Sequence, residues 1–181
     1  MRTINDLTPT KFDLENTDYA YQTTLTAKLD DLCSDFNQEI INEIVLWKVN
    51  RYAIIDQDTL ILLNQINKSD TQLNPEFTTT ILMKLLHKGQ KGVRLAMAST
   101  ILRFKNPTVY QIIDQRVYRF IYGKELKYSE TDINQQITIY LDYLSLLRAK
   151  CNDHNIEFEN ADRIFYSMDK TYNIGENLTG Y

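Results

Sequence analysis

One carboxylate carries the chemical interest of this sequence. In the stretch from Lys91 to Phe120, KGVRLAMASTILRFKNPTVYQIIDQRVYRF, Asp114 is the only acid and faces six Lys and Arg. A carboxylate among cations, at the start of a helix, is held in its ionised form. Such a group can stabilise positive charge developing on a reacting carbon, or orient and activate a water. The cations around it suit phosphate. A plainer role also fits: Asp is among the commonest helix N-caps, worth about 1 kcal/mol with no chemistry attached. One side chain can do both.

The charge is unevenly distributed. From Lys84 to Lys127 there are ten Lys and Arg and two acids, Asp114 and Glu125. The whole chain of 181 residues has a net charge of −4. The rest of the chain is therefore strongly acidic, and the expectation is a basic face on an acidic body. A focused basic patch is what phosphate binding needs, whatever the overall charge. A lysine-rich helix face that is merely solvated is the alternative.

The elements around Asp114 read as helices. Leu25, Leu29, Leu32 and Phe36 form one apolar stripe, and Ile40, Ile44, Trp47 and Tyr52 another, with Asn37 as a cap. Asn74 and Pro75 open a further helix. VRLAMASTILRF is a compact helix stopped before Pro107. Asp114 and Gly123 cap DQRVYRFIYG at its two ends. A long helix capped by Ser129 and a last one over ENADRIFYSMDKTYN complete the series. No strand is expected except a short one near Ile112. The fold class is all-α, with eight or nine helices. Residues 1–17 read as an irregular arm, 18–172 as a single helical domain or two fused lobes, and 173–181 as a loose tail.

Several classes are set aside. No apolar run approaches twenty residues, so no membrane span is expected. The opening residues lack an apolar signal core, so export is not expected. Two cysteines, Cys33 and Cys151, are too few for a disulfide framework and fit reduced thiols in the cytoplasm. His87 and His154 have no ligand spacing, and there is no Walker loop, Rossmann glycine pattern or Ser/His/Asp signature. No metal and no cofactor are expected.

With these residues in view, the segment 84–123 resembles the helix-hairpin-helix DNA glycosylase superfamily, which includes endonuclease III and the alkyladenine and adenine glycosylases. GVRLAMASTIL sits where the family's hairpin enters its second helix, and IDQRVYRF where its aspartate segment belongs. The resemblance makes Asp114 the catalytic carboxylate and places Arg116 at the family's histidine and Arg119 at its basic residue. Ala96 falls where strand-cleaving members carry a lysine, eighteen residues before Asp114. Gly92, Val93 and Arg94 would lie at a DNA phosphate, and Lys91 and Arg116 would add charge near the site. Arg94 replaces a hairpin glycine, keeping positive charge but losing the close backbone approach. The missing lysine argues against Schiff-base strand cleavage.

On this resemblance the implied chemistry is hydrolysis of an N-glycosidic bond in double-stranded DNA. Positive charge builds on the sugar, and a fixed carboxylate opposes it. The surrounding cations would grip the phosphates of an extruded nucleotide. Lys48, Asn50 and Arg51 on EIVLWKVNRY are candidates for the gap left by the base, and Trp47 or Tyr52 for stacking on it. Helical periodicity equally makes Trp47 a core residue. Tyr110, Tyr118, Phe120 and Tyr122 read as packing. The alternative function is a non-catalytic helical module that binds nucleic acid or a protein partner.

Overall fold

The computed structural model describes residues 2–6, 23–48, 53, 55–88, 90 and 92–178. The described residues contain eight α-helices and no strand. These are α1 (Thr23–Asp30), α2 (Gln38–Lys48), α3 (Gln57–Asn64), α4 (Pro75–Leu85), α5 (Leu95–Lys105), α6 (Gln115–Tyr122), α7 (Ile133–His154) and α8 (Ala161–Tyr172). No helix among them is long and apolar enough to cross a membrane.

Local signals set most of the helix starts. Asn37 accepts the Ile40 N–H at 3.0 Å, opening α2. Asn74 accepts the Phe77 N–H at 3.0 Å, with Pro75 at the first helical position of α4. Asp114 caps α6, and Gly123, at φ 69°, closes it in the left-handed region that favours glycine. Two boundaries differ from expectation. α7 begins at Ile133 with Asp132, not Ser129, as its cap, because the Asp132 carboxylate takes the Gln135 N–H at 2.9 Å. Ser129 lies in the preceding turn and donates its own N–H to Gln135 Oε1 at 2.7 Å. α1 ends at Asp30, so Leu32 and Phe36 pack from the connection that follows it.

α6 packs on α8, α2 on α5 and α4 on α7. The connection from Asn106 to Asp114 runs through the core without strand pairing, and side chains from several elements satisfy its backbone. Tyr140 and Tyr143 of α7 donate their hydroxyls to the carbonyls of Gln111 at 3.0 Å and Ile112 at 2.7 Å. Arg148 donates to the Thr108 carbonyl at 2.7 Å. Among the described residues no strand pairs with the Ile112 segment. Burial pushes the phenols of Tyr140 and Tyr143 well above their ordinary value, which keeps both hydroxyls protonated as donors.

The two ends are tied to the body where they are described. Ile4 is fully buried. Asn173 accepts the Arg2 N–H at 2.6 Å and donates to the Arg2 carbonyl at 2.8 Å. The Glu176 carbonyl accepts from Arg119 at 2.8 Å. Residues 2–6 and 173–176 are thus anchored; the rest of the expected arm, residues 7–17, lies outside the described residues.

Candidate functional site

The candidate residues lie at the end of α2, in the turn between α4 and α5, and at the start of α6. In the turn, Gly92 takes φ 74° and is exposed, a conformation that explains glycine there. Val93 is buried beneath it. Arg94 stands at the α5 N-cap position, makes no side-chain cap, and pairs with Glu130 at 2.7 Å on the surface. Lys91 lies outside the described residues.

Gln90 braces this turn against α3. Its carboxamide accepts the Asp56 N–H at 3.1 Å and donates both to Asp56 Oδ2 and, at 3.1 Å, to Thr59 Oγ1. Asp56 is the α3 cap and accepts the Thr59 N–H at 2.8 Å. That backbone N–H, aided by the Gln90 and Thr59 side chains, holds the Asp56 carboxyl below its ordinary value of 3.8. A depressed value means the stabilisation is complete above 3.8 and is lost as pH falls through the lower folded-state value. Urea midpoints of the wild type and Asp56→Ala should therefore differ near neutrality and converge on acidification below pH 3.8.

Asp114 sits where α5 and α6 meet. One carboxylate oxygen, Oδ1, accepts the Arg116 N–H at 2.8 Å; the other, Oδ2, lies 3.6 Å from the Lys48 ammonium at the end of α2. The residue is 8% exposed. Ser99 fixes its approach: the Ser99 hydroxyl donates to the Ala96 carbonyl at 2.8 Å and accepts the Ile113 N–H at 3.1 Å. Ser99 thus ties the segment before Asp114 to α5. Ser99 was not a sequence candidate, and only its place in AMAS hinted at close approach. Lys48, a candidate for a DNA contact, is placed beside Asp114.

The basic segment is less basic on the surface than its residue count suggests. Arg119 is 1% exposed. Its guanidinium makes a fork on Asp169 of α8, Nε to Oδ1 at 2.7 Å and Nη2 to Oδ2 at 2.8 Å. This removes Arg119 from the expected DNA contacts. Arg116 reaches the same carboxylate at 3.2 Å and lies over the Tyr166 ring. Arg103 is buried and bonds Asp30, as does Arg163. The physical reason is the cost of an unpaired buried charge: acids from outside the segment fold back to neutralise these arginines.

Trp47 is also placed differently from the stacking proposal. It is 4% exposed, donates its indole N–H to Thr26 Oγ1 at 2.5 Å and meets the Phe104 ring edge-on. It is a core residue with its polar atom satisfied. Asn50, Arg51 and Tyr52 lie outside the described residues. The expectation of packing for the other aromatics agrees with their placement: Tyr110 and Phe120 are buried, and Tyr118 stacks on Tyr122 with ring centres 4.2 Å apart.

Asp114 is a largely enclosed carboxylate beside Lys48, and Gly92 and Arg94 lie exposed in the turn before α5. Chemically this can oppose positive charge near Asp114 Oδ2 and contact an anion at the turn. Compared with known proteins, the chain matches no family model, no curated protein and no solved structure.

Proposed function

We propose that the chain is a DNA glycosylase-like protein of helix-hairpin-helix type that hydrolyses an N-glycosidic bond without cutting the strand. The observation that supports this reading is the placement of Asp114, held against α5 through Ser99 and Ile113 while Oδ2 lies near Lys48. In the proposed reaction Asp114 opposes the positive charge that develops on the sugar and orients the attacking water. Lys48 turns from the carboxylate toward a DNA phosphate as the nucleotide enters. Gly92, Val93 and Arg94, with Lys91, hold a neighbouring phosphate, and Arg116 adds charge. Ala96 supplies no amine at the position used for strand cleavage. The setting we propose is cytoplasmic, in keeping with two unbridged thiols, Cys33 exposed and Cys151 buried.

A second reading is favoured by two observations: Asp114 is nearly closed off, and Arg94 is engaged by Glu130. In that reading the same surface binds nucleic acid, or an acidic protein, without base release. A panel of duplexes containing uracil, hypoxanthine, alkylated or oxidised bases separates the two. Base release from one of them, with the sugar–phosphate backbone intact, is the expected result. Binding that weakens steeply with salt and releases no base supports the second reading.

A further inference from the structure

A second site lies away from Asp114. A polar cleft of about 400 Å³ opens between the α1–α2 connection, the end of α3 and Lys105 at the end of α5. Asp114 is not among its lining residues. Its size falls in the range of small-ligand sites.

The walls of the cleft are pinned by side chains. The Asn64 carboxamide accepts the Phe36 N–H at 2.6 Å and donates to the Phe36 carbonyl at 3.1 Å. Lys68 spans the other wall, donating to the carbonyls of Asp30 at 3.3 Å and Leu32 at 3.0 Å. Asn106 holds the carbonyls of Asn67 at 2.8 Å and Asp70 at 2.9 Å. A ligand entering this cleft would spend little free energy on ordering its walls.

Lys105 is the unusual group. It is half-buried, and its ammonium donates to Asn64 Oδ1 at 3.0 Å and lies 4.9 Å from the centre of the Phe36 ring. Among the described residues no ion pair reaches it, in contrast to Arg103 and Arg119. Burial pushes its amine below the ordinary lysine value, with Asp35 opposing the shift from a distance. A partly desolvated cation with only a neutral amide and a ring as partners gains from an anion.

We propose that this cleft binds the carboxylate of a small organic acid, with Lys105 as its ion partner. The charge of Asp35, which also lines the cleft, favours a single negative charge over a phosphate dianion. Leu32, Phe36 and Ile66 give the body of the acid an apolar wall.

The test is a backbone-amide NMR titration with benzoate, acetate and inorganic phosphate at constant ionic strength. Benzoate should shift the amides of residues 33–36 and 64–68 saturably, and Lys105→Met should weaken it at least about tenfold. Asp35→Asn should tighten it, which keeps the proposal testable if the Lys105 variant does not fold. The denaturation midpoint of Lys105→Met should equal or exceed that of the wild type, because a poorly paired charge has been removed. Absence of saturable shifts with any probe, or shifts unchanged in Lys105→Met, would overturn the site. Saturation by phosphate at lower concentration than benzoate would overturn the choice of ligand. A lowered midpoint without benzoate binding would make Lys105 only a strut between α5 and α3.

Discussion

Asp169→Ala should destabilise the protein by about 3–5 kcal/mol, the cost of stranding a buried charge. Asp169 is completely buried and accepts from three side chains: Arg119 twice, Arg116, and Asn173 Nδ2 at 2.8 Å. The one carboxylate joins α6, α8 and the turn after α8, and through Asn173 it reaches the chain at Arg2. Without it, the Arg119 guanidinium stays in the core with the Glu176 carbonyl as its remaining described partner. Replacing Arg119 and Asp169 together by Met and Leu should cost clearly less than the two single changes summed, because no charge is then left without its partner. Urea denaturation followed by circular dichroism reads both effects. A loss below about 1 kcal/mol for Asp169→Ala would show that the pair is not a structural centre of the fold.

The second large effect is on the proposed base release. Asp114→Asn should lower base release by at least about a hundredfold while keeping the cap of α6. The reason is the double duty of this side chain. Asn caps a helix about as well as Asp, so the bond to the Arg116 N–H survives the change while the charge is lost. Asp114→Ala removes both and should cost about 1 kcal/mol in addition. DNA affinity of Asp114→Asn should equal or exceed that of the wild type, since a negative charge facing phosphates has gone. If Asp114→Asn and wild type release base at the same rate, the Asp114 carboxylate has no part in the chemistry.

The parts of this fold that were legible in the sequence are those fixed by neighbouring residues. Asn74 followed by Pro75, and Asp114 paired with Gly123, mark helix ends through contacts within a few positions. The start of α7 was misread because Ser129 and Asp132 are both good caps one turn apart, and only the three-dimensional path of the turn decides between them. The arginines were misread for a different reason. Asp169 lies 50 residues from Arg119, and Asp30 lies 73 residues from Arg103, so charge counted along the chain says nothing about who neutralises it. Trp47 fell on the periodic apolar stripe, and its core placement follows from that stripe. Ser99 had no signal of its own: its hydroxyl matters because it accepts the Ile113 N–H in the segment before Asp114.

The central claim is that Asp114 faces the sugar of a nucleotide drawn out of DNA, and it can be tested without knowing the base. Affinity should be measured for two duplexes differing at one position, one with a neutral tetrahydrofuran and one with a cationic pyrrolidine in place of the sugar. The wild type should bind the cationic analogue at least about tenfold more tightly, and Asp114→Asn should abolish that preference. Equal affinity of the wild type for the two duplexes, or a preference that persists in Asp114→Asn, would contradict the account.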